Sequence, residues 1–178
     1  MNRITFETSL LLAPLAYALH HIEEHIFFNF REWRTQYFPD NNQIPTEAVL
    51  CLVMAATLVY LILHSRRRSS ASAWAVLAFL MATQVHNILF HVGGSIVFRD
   101  FSPGTLTAVL LYLPANVFIL RKAFEEEWIN GKSAAVLFVV GGVVFWSMEA
   151  FGPPLFIASI AISWIWIGLS RADMKAAE

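Results

Sequence analysis

The chain has 178 residues, 57% hydrophobic and only 14% charged, with a mean hydropathy of +0.58. Such a composition excludes a disordered chain, a coiled coil and an ordinary soluble enzyme, in which about 25% of residues are charged. The balance of 12 basic against 13 acidic residues excludes a nucleic-acid binder, and the single cysteine, Cys51, excludes an intrachain disulfide and a Cys-rich zinc site.

What remains is an all-α, polytopic membrane protein, a single transmembrane domain over residues 1–178. A helix needs about 20 apolar residues to cross the hydrocarbon. In chain order the apolar stretches are Phe6 to Phe28, Thr46 to Leu63 and Ala71 to Val97, then a fourth that starts after Ser102-Pro103-Gly104 and ends at Arg121-Lys122. The last stretch, Ser133 to Leu169, is too long for one crossing and is broken by Gly152-Pro153-Pro154. It reads as two short helices, Ser133 to Phe151 and Pro154 to Leu169, for about six spans; a re-entrant hairpin is the alternative for the last two.

Six spans place both termini on one side, together with Arg3, Arg66, Arg67, Arg68, Arg121, Lys122, Lys132, Arg171 and Lys175. The opposite side holds only Arg31, Arg34 and Arg99, so the positive-inside rule makes both termini cytoplasmic in a multi-pass protein of the cell membrane. The aromatic segment from Phe27 to Trp33 then lies at the outer interface. No small-residue cleavage site follows the apolar run Phe6 to Leu19, so no cleavable signal peptide is expected.

His20-His21-Ile22-Glu23-Glu24-His25 interrupts the first apolar stretch. An ionised carboxylate at mid-span costs roughly 2.5–3.5 kcal/mol, so these groups require partners or water. On an ideal helix His20, His21, Glu24 and His25 share an arc of about 140°, with Glu23 about 60° beyond its edge. The third stretch carries His86, Asn87 and His91, the last two four residues apart on one face. Counted from the cytoplasmic ends, His20 lies about 21 Å along its helix, His86 about 20 Å and Glu149 of the fifth about 24 Å. Three spans thus place ligand-type side chains at one level. Glu47 at the start of the second span could close the ring, and Asn87 and Asn116 are expected as supporting donors.

Metal binding is the leading reading. Histidines four apart on a helix offer two nitrogens to one ion, and a carboxylate adds a hard oxygen. His20, His21, Glu24, His25, His86, His91 and Glu149 are the candidate ligands of a divalent cation, zinc first, with iron and a two-metal site bridged by a glutamate as alternatives. His21-x-x-Glu24-His25 also has the spacing of inverted zinc peptidases, in which the glutamate activates water. Glu24, and after it Glu23, are therefore the candidate catalytic carboxylates. The expected activity is hydrolysis of a lipid or other apolar small molecule in the outer half of the bilayer, with Arg31, Arg34 and Arg99 as candidate headgroup contacts. Oxidation by non-haem iron is the alternative chemistry. A small transporter or ion pathway, and a metal-free packing network, are the non-enzymatic alternatives.

At His20-x-x-Glu23-Glu24 the sequence resembles the prokaryotic membrane-protein family named for its HXXEE motif, and Asn87-x-x-x-His91 is similar to that group's second element. The resemblance covers most of the chain. It implies a six-span or similar helical membrane protein and points to His20, Glu23 and Glu24, but implies no reaction. The family spacing stresses His20 and Glu23, whereas the zinc-peptidase spacing stresses His21, Glu24 and His25.

Overall fold

The computed structural model describes residues 3–40, 42 and 44–170; Arg171 and Lys175, two of the charges used to orient the chain, lie outside the described residues. Helices α1 (Phe6–Ser9) and α2 (Leu12–Ile22) are followed by a π-helical turn at Glu23–Phe27 and the short helix α3 (Phe30–Tyr37). Next come α4 (Thr46–Arg67) and α5 (Ser70–Leu80), which runs through a second π turn at Met81–Val85 into α6 (His86–Phe98). Then α7 (Thr105–Thr107) passes through a third π turn, Ala108–Tyr112, into α8 (Leu113–Glu125), followed by α9 (Gly131–Phe151) and α10 (Pro153–Leu169). The described residues contain no strand.

Among the described residues, four helices are long and apolar enough to cross a membrane: Thr46–Arg67, Ser70–Phe98, Thr105–Glu125 and Gly131–Phe151. Their outer faces expose Leu52, Leu58 and Ile62 on α4 and Val139 and Val143 on α9, apolar surface that suits lipid rather than water. The stretch from Phe6 to Phe28, expected as one span, is divided. Pro14 has no N–H for the carbonyl of Leu10, so α1 stops at Ser9 and the chain steps before α2 begins. The break at Gly152-Pro153-Pro154 is where the sequence placed it. Gly152, at φ 85°, ends α9, and the prolines occupy the first turn of α10, which spans only 17 residues.

The continuous helix Ser70–Phe98 is the axis of the bundle, 67% buried over its most apolar window. It begins with a reciprocal capping box between Ser69 and Ser72; Asn130 and Ser133 start α9 in the same way. Close approach at its middle requires a bare backbone. A Cβ on Gly141 of α9 would lie 2.4 Å from that of Met81, and one on Gly142 2.7 Å from Cε1 of His86. Both glycines are therefore close helix contacts. Leu10, Ala13, Val76, Leu77, Leu80 and Ile119 fill the bundle core on the side of the break before α2.

Three π turns in one small bundle are unusual, and such turns gather at functional sites. The first carries Glu23, Glu24 and His25, and the other two interrupt the helices beside it. Pro114 accounts for the third, since it cannot donate to the carbonyl of Leu110.

Candidate metal centre

The cluster is assembled from α2, its π turn and α6. His20 and Glu24 stand one turn apart, and His91 reaches them from α6. Glu24 Oε1 lies 3.4 Å from His20 Nε2 and 3.1 Å from His91 Nε2. The other oxygen, Oε2, lies 3.7 Å from His25 Nε2. His20, Glu24 and His91 offer ligand atoms that all lie within 4.8 Å of one another, and so do His21, Glu24 and His25. His20, His21, Glu24 and His91 are buried, while His25 is partly open.

The far sides of the two innermost rings are held. His20 Nδ1 lies 2.8 Å from Thr107 Oγ1, and His91 Nδ1 lies 2.9 Å from Ser102 Oγ. Glu23 fixes the direction of the first of these bonds. Its Oε1 accepts from the backbone N–H groups of Gly104 and Leu106, each at 3.1 Å, and its Oε2 accepts from Thr107 N at 2.6 Å and from the Thr107 hydroxyl. The hydroxyl has one proton, and a carboxylate can only accept. That proton therefore goes to Glu23, Thr107 Oγ1 accepts from His20 Nδ1–H, and His20 Nε2 faces Glu24. Glu23, expected as a second catalytic carboxylate, has both oxygens engaged at the start of the helix Thr105–Glu125. There it satisfies otherwise unpaired N–H groups and the positive end of the helix dipole.

The Nε2 atoms of both His20 and His91 are buried without a hydrogen bond. A buried carboxylate ringed by imidazole nitrogens needs positive charge beside it, and a cation held between them supplies it. The spacing suits an ion, because tetrahedral bonds of about 2.0–2.1 Å set neighbouring donors about 3.3 Å apart. Outer hydrogen bonds from each ring to an oxygen are also the usual support of metal-bound histidine.

The backbone of Gly104 closes the cluster. At φ 99°, a Cβ there would sit 2.8 Å from Cε1 of both His20 and His91 and 3.0 Å from Cγ of Glu24. Thr107, Ser102 and Gly104 escaped the sequence reading, which took Ser102-Pro103-Gly104 only as a span boundary. The usable signal was two hydroxyls and a glycine in a turn just beyond His91.

Other candidates lie elsewhere. His86 turns away and places Nε2 2.9 Å from the carbonyl of Phe138, stacked over Gly142. Glu149 pairs with Arg34, whose Nη2 and Nε lie 2.8 and 3.2 Å from its Oε2. Asn116 donates to Gln84 Oε1 and to the carbonyl of Tyr112, both at 2.8 Å, and Gln84 donates to the carbonyl of Ala13. Glu47 is exposed in the first turn of α4.

A cavity of about 180 Å³ adjoins the cluster, with His20, His21, Glu24 and His25 in its wall and Arg31, Arg34 and Glu149 along its edge. Tyr17, Val49, Phe90, Phe145 and Phe156 supply apolar lining, and the buried, unpartnered Oδ1 belongs to Asn87, also in the wall. Arg31 donates to the carbonyl of Asn42 at 2.7 Å. Arg99 is exposed at the end of α6, where it takes a left-handed conformation, and does not line the cavity. Over the cavity lies α3, started by Asn29, whose side chain accepts from Glu32 N. Its Trp33 packs where a Cβ on Gly94 would come within 2.9 Å.

Residues 11–119 match the family described as proteins of unknown function with an HXXEE motif. The chain belongs to the HXXEE family. An uncharacterized Bacillus subtilis (strain 168) protein, YrkK, is 26% identical over 133 residues, covering 72% of this chain and 83% of the relative. No solved structure matches. In this member of the HXXEE family the three fixed residues interlock: Glu23 orients Thr107, Thr107 orients His20, and His20 faces Glu24. The two spacings that competed in the sequence meet at Glu24.

Thr107→Val tests this linkage. It keeps the side-chain shape and removes the oxygen that holds His20. Metal affinity, measured by chelator competition, is expected to fall about 10- to 100-fold while the fold is retained. Unchanged affinity would contradict the anchoring role.

Proposed function

We propose that this HXXEE protein is a membrane-embedded zinc hydrolase whose metal centre is formed by Glu24 with the imidazoles of His20, His21, His25 and His91, and which cleaves an ester bond of a lipid-like amphiphile. The observation that carries the reading is the pair of buried Nε2 atoms, unbonded and facing one carboxylate oxygen. One carboxylate among four imidazoles favours zinc over the carboxylate-rich di-iron centres of helical bundles. The apolar core residues Leu10, Ala13, Val76 and Leu80 favour an enzyme over a transport pathway, since a route through the bundle would need polar lining.

In this reading Glu24 is a ligand. Glu24 and the imidazoles would hold the cation, which when bound would supply a Lewis acid and a water acidic enough to hydrolyse an ester to acid and alcohol. Acyl chains lie against Val49, Phe145 and Phe156, and an anionic headgroup is drawn to Arg31 and Arg34. The test is hydrolysis of acyl esters and phospholipids in mixed micelles by chelator-stripped and zinc-restored protein. Activity that disappears on stripping and returns with zinc is expected; zinc-loaded protein inert toward every ester would overturn the hydrolase assignment.

The site faces the outside and the N-terminus the cytoplasm, a proposal resting on the distribution of Lys and Arg. In a Cys51→Ser background, an impermeant thiol reagent applied to intact cells is expected to label Thr35→Cys and spare Ser70→Cys. The reverse pattern would overturn the orientation.

A further inference from the structure

The cluster is divided by the carboxylate of Glu24. Oε1 faces His20 and His91, and Oε2 faces His25. The rings fall into the same two pairs: His20 and His91 have centroids 5.0 Å apart, and His21 and His25 have centroids 4.4 Å apart. Each pair forms, with Glu24, a separate ligand triad. A single ion cannot take all five side chains as a tetrahedral sphere, because that sphere is full at four donors.

The two triads also differ in access. His20 and His91 are 1% and 0% exposed and packed against Gly104. Of this pair only His20 reaches the cavity wall, whereas both His21 and His25 line it, and the side chain of His25 is 19% exposed. From this division we infer that the centre binds two divalent cations bridged by Glu24. A sealed ion sits on His20 and His91, and an exchangeable ion sits on His21 and His25. The inference rests on the metal-centre reading given above.

Each cation then has two imidazole nitrogens and one carboxylate oxygen, with at least one coordination position left for water or substrate. A carboxylate spanning two ions suits the separation of about 3.5–4 Å found in two-metal hydrolytic sites. Two divalent cations facing one carboxylate leave a surplus of positive charge. Hydroxide and an anionic substrate oxygen would share it; the charges of Arg31 and Arg34 in the same cavity are already met by Asp40 and Glu149. The sealed ion therefore organises the site, and the exchangeable ion meets the substrate.

The stoichiometry decides. Protein purified in detergent is stripped with a chelator, reloaded with zinc chloride, desalted and measured by elemental mass spectrometry. Two zinc ions per chain are expected in the wild type. His25→Ala is expected to retain one, and a mild chelator should remove one ion from the wild type at least 10-fold faster than the other. One zinc per chain in the wild type would overturn the bridged pair while leaving a mononuclear centre intact. No zinc would overturn both this inference and the metal-centre reading. A folded His25→Ala variant that still holds two zinc ions would overturn the assignment of the exchangeable site.

Discussion

Glu24→Gln is expected to empty the centre. The substitution keeps the size of the side chain and replaces a charged donor facing three imidazoles with a neutral amide. An amide oxygen is a poorer donor, and its NH2 group would compete for the lone pair of His20 Nε2. Zinc affinity should fall by more than about 100-fold, since losing a direct ligand exceeds losing an outer hydrogen bond, which costs about 10- to 100-fold. Hydrolysis should be lost together with the zinc. Thermal denaturation separates this from misfolding. Saturating zinc at 100 times its Kd adds about 2.7 kcal/mol to the wild type, so its Tm rises with zinc. The variant should fold and show no such rise, because removing a buried charge spares its desolvation cost. A Glu24→Gln protein with wild-type zinc content would show that the carboxylate is not a ligand.

The second large effect is expected at Gly104. Alanine there must adopt φ 99° and place its Cβ 2.8 Å from Cε1 of two histidines, contacts no side chain sustains. The left-handed conformation costs about 1–2 kcal/mol and overpacking about 1–3 kcal/mol. A loss of about 2–5 kcal/mol should lower Tm by roughly 5–15 °C and reduce zinc retention with it. Gly93→Ala is the internal control. It lies in the helix α6 with nothing within 4 Å of the added methyl, so it should be neutral or slightly stabilising. Equal Tm values for the two variants would contradict the packing described around Gly104.

The helical membrane class and the heart of the site were legible because ionisable residues are costly among apolar ones. His20 to His25 stood out for that reason, and the four-residue step from Asn87 to His91 marked the second wall. Equal depth could not settle rotation. His86 shares the level of His20 but is turned about 100° from Asn87, and it spends its Nε2 on the carbonyl of Phe138. Glu149 passed for a ligand because its partner, Arg34, sits on α3, an eight-residue helix read only as an aromatic interfacial segment. The division of labour between Glu23 and Glu24 was hidden for a different reason. It depends on a helix start that arrives from 81 residues away, at Gly104. Hydroxyls at a turn and a helix start carry no periodicity, so the hydrophobic pattern did not single out Ser102 and Thr107. The π turns likewise leave no mark in the hydrophobic pattern, and the step before α2 was readable only through Pro14.

Zinc K-edge X-ray absorption of the reloaded wild-type protein is the most direct test of the metal centre. The predicted spectrum has a nearest shell of nitrogen and oxygen at about 2.0–2.1 Å, with the outer-shell scattering of imidazole rings, and this shell is lost in Glu24→Gln. A spectrum of hydrated zinc without imidazole scattering, or one unchanged by Glu24→Gln, would contradict the account.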